Sequence, residues 1–235
     1  MVPLPPLLRG KRIAVLGSGS GLGRALAAAA TEAGAEVLGI DPDTRFDHLA
    51  ELYRYDPTNP GAMDAVARAL PEGLDGIALF PALPPGAEAC LEQALAAPKR
   101  LAEALAPKLA PGAGIVTRAA QPHADWAKSL GLIRAAAALR PGEAAGFATR
   151  WALAAEAIDI PRLTGWAMLA WTLSHRATWP NVRVNALTPG GALPPDAPAP
   201  AAVFLLSGLS ASLTGANLAA DGGLSAQIQT SLDGL

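Results

Sequence analysis

The sequence predicts an α/β fold built on one doubly wound parallel sheet of about seven strands. Short apolar runs alternate with helix-prone segments along the chain, and a glycine-rich turn follows the first run. Runs without polar alternation are typical of parallel strands that are covered on both faces. A chain of 235 residues suits one core. We therefore expect a single Rossmann-type, dinucleotide-binding domain over residues 1–235.

The first strand, turn and helix are the segment around which this fold is organised. The apolar run Ile13–Leu16 predicts a buried strand, and the alanine-rich segment Arg24–Ala33 predicts a helix. Backbone N–H groups of a glycine-rich turn, with the positive end of the next helix, bind a pyrophosphate. The predicted cofactor-binding residues of this turn are Gly17, Ser18, Ser20, Gly21, Leu22 and Gly23.

The second strand, Glu36–Ile40, ends at an acidic residue, Asp41. Its distance from Gly23 is close to the roughly 20 residues expected for the acid that binds an adenosine ribose. A carboxylate there accepts hydrogen bonds from the ribose hydroxyls and repels a 2′-phosphate. The sequence therefore predicts NAD(H) in preference to NADP(H).

The later elements continue the alternation of strands and helices. Between residues 118 and 160 the sequence predicts a helical insertion, with helix-prone segments at Trp126–Leu139 and Ala144–Ile158. The other predicted strands are Tyr53–Tyr55, Gly76–Phe80, Ile115–Thr117, Val182–Leu187 and Ala216–Ala220. The other predicted helices are Pro60–Leu70, Ala87–Leu109 (one helix or two, interrupted at Pro98), Leu163–Arg176 and Ala201–Leu206.

Composition excludes several classes of function. The net charge is −2 and no basic run is present, which argues against nucleic acid as a partner. No apolar run reaches the roughly 18 residues of a membrane span. Cys90 is the only cysteine, and His48 and His175 lack metal-ligand spacing, so no metal site is predicted. We expect a cytoplasmic location.

Three motifs in order give the sequence a resemblance to a known family. They are Gly17-x-x-x-Gly21-Leu22-Gly23, Arg183 to Gly190, and Leu213 to Gly223. Over nearly its whole length the chain resembles the short-chain dehydrogenase/reductase family, and its insertion is similar to that of the 3α-hydroxysteroid dehydrogenase/carbonyl reductase branch. The resemblance implies dimers, and it adds Asp56, Pro189 and Gly190 to the cofactor-binding residues. Asp56 is equally explained as a turn residue before Pro57.

The family's catalytic residues are not found where the resemblance places them. The family uses Asn, Ser and a Tyr-x-x-x-Lys pair, whose tyrosine and lysine positions fall here on Asp159 and Leu163. The serine region reads Thr117-Arg118-Ala119-Ala120. The resemblance therefore implies an NAD(H)-binding protein without the usual chemistry. We expect a pseudoenzyme that acts as a non-catalytic or regulatory subunit, as a homodimer or in a heteromer with an active relative.

Two alternatives stay open at this point. One is an oxidoreductase, or another enzyme derived from this family, that acts on a hydrophobic carbonyl or alcohol with relocated acid/base residues. The candidates are Asp159, His123 and Arg118; a histidine titrates near neutral pH, whereas an aspartate donates a proton there only if burial raises its pKa. The second half of the chain contains five tryptophans. We expect them to line a small apolar ligand pocket, to lie at an interface or to pack in the core. The other alternative is an interaction protein without a ligand.

Overall fold

The computed structural model describes residues 6–42, 48–123, 125–153, 159–190, 193–194 and 196–233. In this part of the chain seven parallel strands form one sheet in the order β3-β2-β1-β4-β5-β6-β7. This confirms the predicted fold class. The strands are β1 Arg12–Leu16, β2 Glu36–Ile40, β3 Glu51–Tyr53, β4 Leu74–Leu79, β5 Leu109–Arg118, β6 Arg183–Pro189 and β7 Asn217–Ala220.

Helices cover both faces of the sheet. The helices are α1 Gly21–Glu32, α2 Ala62–Ala69, α3 Ala87–Leu91, α4 Ala97–Leu105, α5 Leu130–Ala137, α6 Ala144–Arg150, α7 Ile160–His175, α8 Ala199–Leu206 and α9 Leu224–Asp233. Helices α1 and α8 pack on one face around a buried apolar cluster that includes Leu26 and Val203. Helices α2, α4 and α7 pack on the other face, around a larger cluster that includes Leu101 and Trp166.

The strand order reverses between β1 and β4, and this reversal positions the site. Leu16 at the end of β1 pairs with Ile40 of β2 and with Leu79 of β4. The carboxyl ends of these strands therefore lie level with one another at one edge of the sheet. In open α/β sheets, ligands bind in the crevice outside this edge at the point of reversal.

Two predicted elements differ from the observed ones. The third strand is Glu51–Tyr53, two residues before the predicted Tyr53–Tyr55, because Leu38–Ile40 pair with residues 51–53 and Tyr55 packs against the apolar core. Pro98 does not break the long helix. It lies in the first turn of α4, after a π-helical stretch, Glu92–Ala96, where its missing N–H is tolerated.

The insertion is helical, but its two helices are shorter than predicted. Helix α5 begins at Leu130, after a turn at 125–129, and α6 ends at Arg150. Residues 154–158 of the predicted second helix lie outside the described residues. The C-terminal helix α9 was not predicted; Asp221 before it accepts hydrogen bonds from the Ser225 and Gly223 N–H groups. None of the described helices is both long and apolar enough to cross a membrane.

Candidate functional site

The glycine turn after β1 has a conformation that side chains would prevent. Gly17 has φ +82°, and a Cβ there would lie 2.1 Å from the Phe80 carbonyl oxygen. A Cβ on Gly23 would lie 2.1 Å from the Gly17 carbonyl oxygen. Glycine at these two positions therefore lets the turn lie against the end of β4 and lets α1 pack directly on the turn.

The turn leads into α1 with its N-terminus open to an anion. Ser20 is the N-cap residue, but its side chain makes no capping hydrogen bond, and no acidic side chain lies in the first turn. The first N–H groups of a helix have no partners within the helix, and its dipole favours negative charge at this end. The start of α1 at Gly21 thus has the properties of a phosphate-binding site.

Asp41 joins the end of β2 to this turn. The Gly19 N–H donates a hydrogen bond of 2.8 Å to Asp41 Oδ2, and the side chain is buried. Burial, with a smaller contribution from the charge of Asp41, raises the pKa of the nearby Tyr55 to about 12. The carboxylate is therefore held at the edge of the sheet where the spacing from Gly23 predicts a ribose ligand.

Two residues of the predicted cofactor site serve the fold in this structure. Ser18 is fully buried, and its Oγ lies where a Cβ on Gly39 would be only 2.7 Å away, so the side chain faces β2. Asp56 is exposed and its Oδ1 accepts hydrogen bonds from the Thr58 N–H and hydroxyl groups. These hydrogen bonds lower the pKa of Asp56. A contact between Asp56 and the cofactor stays a prediction.

A cavity of about 400 Å³ lies outside the carboxyl ends of β1, β4, β5 and β6. It contains the start of α1 and the end of β6, where Gly190 is required because a Cβ would lie 2.6 Å from the Asp221 Cα. The structure thus brings the glycine turn, Pro189 and Gly190 around one space. The cavity is lined by Ser20, Gly21, Leu22, Phe80, Pro81, Ala82, Leu83, Arg118, Pro189, Gly190, Leu193, Pro194 and Pro198.

A second cavity of about 150 Å³ adjoins the first and shares Pro81, Leu83, Arg118 and Pro189 with it. Helix α7 closes it tightly, since a Cβ on Gly165 would lie 2.6 Å from the Ala120 Cβ. Apart from Arg118 and Thr164, the side chains that line it are apolar. The other lining residues are Ala94, Ala119, Ala120, Pro161, Thr164 and Gly165.

Arg118 is the charged side chain of both cavities. It is the last residue of β5, and burial lowers the pKa of its guanidinium, which still remains protonated at neutral pH. Within the described residues the guanidinium makes no hydrogen bond or ion pair. Arg118 is one of the three acid/base candidates that the sequence offers. Of the three, Arg118 alone lines the cavities.

Comparisons with known proteins agree with this geometry. A coniferyl-alcohol dehydrogenase from Pseudomonas sp. (strain HR199 / DSM 7063) is 26% identical over 197 residues, 80% of this chain and 75% of the relative. The crystal structure of the 3-alpha-hydroxysteroid dehydrogenase from Pseudomonas sp. B-0831, complexed with NADH, matches with a TM-score of 0.78 and 21% identity over 94% of this chain and 99% of that one. The chain thus has the fold of solved short-chain dehydrogenases, and its sequence is similar to that of a curated alcohol dehydrogenase.

Further solved short-chain dehydrogenases share the fold. A short chain dehydrogenase from Mycobacterium smegmatis matches with a TM-score of 0.66 and 22% identity, over 94% of this chain and 97% of that one. No family model matches the sequence. The comparisons thus show a shared fold, and the similarity in sequence comes from the curated relative.

Asp159, where the resemblance places the family's tyrosine, has a local structural role. It is the N-cap residue of α7: its Oδ1 accepts a 3.0 Å hydrogen bond from the Arg162 N–H, and its Oδ2 pairs with the Arg162 guanidinium at 3.2 Å. Both side chains are nearly half exposed, and neither lines the two cavities. At the lysine position, Leu163 is buried in the apolar core.

His123 packs in an aromatic group beside the insertion. Its ring lies 4.9 Å from the ring of Trp166, and Trp126 meets Trp166 at 5.7 Å. The Trp166 indole donates a hydrogen bond to the Gln121 carbonyl oxygen. His123 therefore stands outside the two cavities. Among the described residues, no group of three or more His, Cys, Asp or Glu side chains is placed to hold a metal ion.

Proposed function

We propose that this chain belongs to the short-chain dehydrogenase/reductase family, binds NAD(H) in the crevice between β1 and β4 and acts as a non-catalytic or regulatory subunit. The observation that carries the proposal is the contrast at one sheet edge. The glycine turn and Asp41 have the geometry of a nucleotide site, whereas Asp159 at the tyrosine position is used as a helix cap. The related hydroxysteroid dehydrogenase structure, which contains NADH, supports a nicotinamide cofactor.

The residues present fit a dinucleotide at one end of the crevice. The N–H groups at the start of α1 would hold the pyrophosphate, and the Asp41 carboxylate would accept hydrogen bonds from the adenosine ribose. Pro189 and Gly190 would border the nicotinamide end, inside the larger cavity. A bound nicotinamide supplies a hydride donor or acceptor. In the described part of the chain, no tyrosine or lysine lines the two cavities.

None of the three candidate residues provides the missing proton transfer in this geometry. Arg118 keeps its proton at neutral pH. Asp159 already accepts two interactions from Arg162, and His123 does not border the cavities. These contacts favour the non-catalytic subunit over the enzyme with relocated residues.

Thermal unfolding with nucleotides tests the proposal. NADH at a hundredfold excess over its dissociation constant should stabilise the chain by about 2.7 kcal/mol, and NADPH should stabilise it less. A panel of ketones and alcohols should then leave the NADH or NAD absorbance unchanged. No stabilisation by either nucleotide contradicts cofactor binding, and steady turnover of a carbonyl or alcohol contradicts the non-catalytic assignment.

We propose subunit pairing through the segment from α3 to α4, with a second copy or an active relative. The segment is rich in alanine, which permits close packing between helices. A groove of about 620 Å³ follows α4 and is lined in part by Trp171 and His175, whose rings stack at 4.4 Å. Light scattering on the purified chain should give a dimer mass; a monomer that pairs only after co-expression with an active relative would indicate the heteromer.

A further inference from the structure

One cation in the crevice has no counter-ion among the described residues. The Arg118 guanidinium is partly buried and lies at the boundary of the two cavities. We propose that Arg118 binds the carboxylate of a small organic acid, whose apolar part occupies the cavity of about 150 Å³ beside β5 and α7. This inference does not depend on nucleotide binding.

The energetics of a partly buried guanidinium favour an anionic ligand. Withdrawing a cation from part of its water is costly, and the five N–H donors of Arg118 have no protein acceptor among the described residues. A carboxylate supplies two oxygens in the planar geometry that the guanidinium fork matches, and such charge-assisted pairs are strong hydrogen bonds. A bound carboxylate would therefore remove an unfavourable feature of the free protein.

The walls of the smaller cavity indicate the rest of the ligand. Besides Arg118, Thr164 is the polar side chain that lines this cavity among the described residues. Its hydroxyl lies 3.5 Å from Cys90 Sγ. The cavity is bordered by alanine, proline and leucine side chains, and no carboxylate lines either cavity in the described residues. A compact aliphatic chain fits these walls, whereas a sugar or a polyanion would leave polar groups unpaired against them.

The same guanidinium also borders the larger cavity, so its oxyanion ligand has two possible sources. One is a free organic acid in the smaller cavity, and the other is a phosphate group in the larger one. We favour the carboxylate because the phosphate site at the start of α1 has its own N–H donors, at Gly21 and Leu22. A test must separate the two anions.

Thermal unfolding of the complete chain with butanoate, butanamide and inorganic phosphate makes this separation, at ionic strengths matched with sodium chloride. Butanoate should raise the melting temperature, whereas butanamide, which has the same shape without the charge, should not. Arg118→Gln should weaken butanoate binding by at least about tenfold, because a hydrogen bond to a charged group is lost. The control Arg162→Gln removes a nearby exposed arginine and should bind butanoate like the unsubstituted chain.

Three results would overturn the inference. A response to phosphate without a response to butanoate would assign Arg118 to a phosphate group. No response to either anion would show that the cation is not a ligand site. A marked loss of stability in ligand-free Arg118→Gln would show that the guanidinium has a structural partner. We expect an unchanged or higher melting temperature, since a partly buried charge without a counter-ion in the described residues is removed. NADH binding, measured separately, tests the proposed function without deciding these outcomes.

Discussion

The two ends of the crevice differ in how closely their residues match those of a dehydrogenase site. At the β1–β2 end, close backbone contacts and one buried carboxylate hold a turn that suits a dinucleotide. At the β5–α7 end, alanine, leucine and a helix cap stand at the positions where the resemblance to the family places hydroxyl groups and a lysine. A nucleotide site depends mainly on backbone geometry, which the fold itself maintains. Proton transfer depends on a few side chains, which can change without loss of the fold.

The largest effect is expected at the nucleotide end. Gly17→Ala places a Cβ 2.1 Å from the Phe80 carbonyl oxygen at φ +82°, so the turn must move. We expect a loss of at least about 3 kcal/mol in the free energy of unfolding, measured by urea denaturation, together with loss of NADH binding.

The matched control is a glycine with open space around it. Gly131 lies in α5 with ordinary helical φ, and a Cβ added there would meet no atom within 4 Å. Gly131→Ala should stabilise the chain by about 0.5–1 kcal/mol, because alanine favours the helix. Equal stability losses in the two variants would contradict the specific role of the turn.

The insertion at the other end is anchored by a buried lysine, which gives a pH-dependent effect. Lys99 Nζ donates hydrogen bonds to the carbonyl oxygens of Ala137 and Leu139, and burial lowers its pKa from 10.5 to about 8. Between these pH values the unfolded chain binds a proton that the folded chain has released. Stability from this group therefore rises with pH, by at most about 1.4 kcal/mol per pH unit.

Comparison with Lys99→Met isolates this titration from those of the tyrosines. Urea denaturation from pH 8 to pH 10 should show the unsubstituted chain gaining stability relative to the variant. If the difference in free energy of unfolding between the two chains stays constant across this range, the pKa of Lys99 in the folded chain is close to its ordinary value.

The preference between nucleotides tests Asp41. Asp41→Asn keeps an oxygen that can accept the Gly19 N–H but removes the charge that repels a 2′-phosphate. The ratio of NADPH to NADH affinity should rise about tenfold, measured by calorimetric titration. An unchanged ratio would show that Asp41 does not face the adenosine ribose.

The smallest effect separates a helix cap from an acid/base residue. Asp159→Ala should cost about 1 kcal/mol of stability, because α7 loses its N-cap, whereas Asp159→Asn should retain most of it. Both variants should bind NADH like the unsubstituted chain. If any carbonyl turnover is found, its loss in Asp159→Asn with unchanged stability would restore Asp159 as a catalytic residue.

The sequence predicted the sheet and the nucleotide turn because both depend on local patterns. Ile13–Leu16 and Gly17–Gly23 carry their signals within a few residues, and the parallel, doubly wound sheet follows from the alternation of strands and helices. The position of Arg118 could not be distinguished in this way. Its significance depends on cavities that form only when β4, β5, β6 and α7 come together, and on the lack of a counter-ion in the described residues.

The same limit applies to the third strand and to the C-terminal helix. Tyr53–Tyr55 has high strand propensity, but pairing with β2 selects residues 51–53 and leaves Tyr55 for the core. Helix α9 is a polar segment whose start is capped by Asp221, within a stretch that the sequence analysis assigned to the last family motif.

Calorimetric titration of NADH into the purified chain tests the central claim most directly. The claim is that the nucleotide end of the crevice is intact although the chemistry at the other end is missing. We predict saturable binding of one NADH per chain, with unchanged NADH absorbance when carbonyl compounds are added to the complex. Titration without saturable heat, in a chain that unfolds cooperatively, would contradict the account.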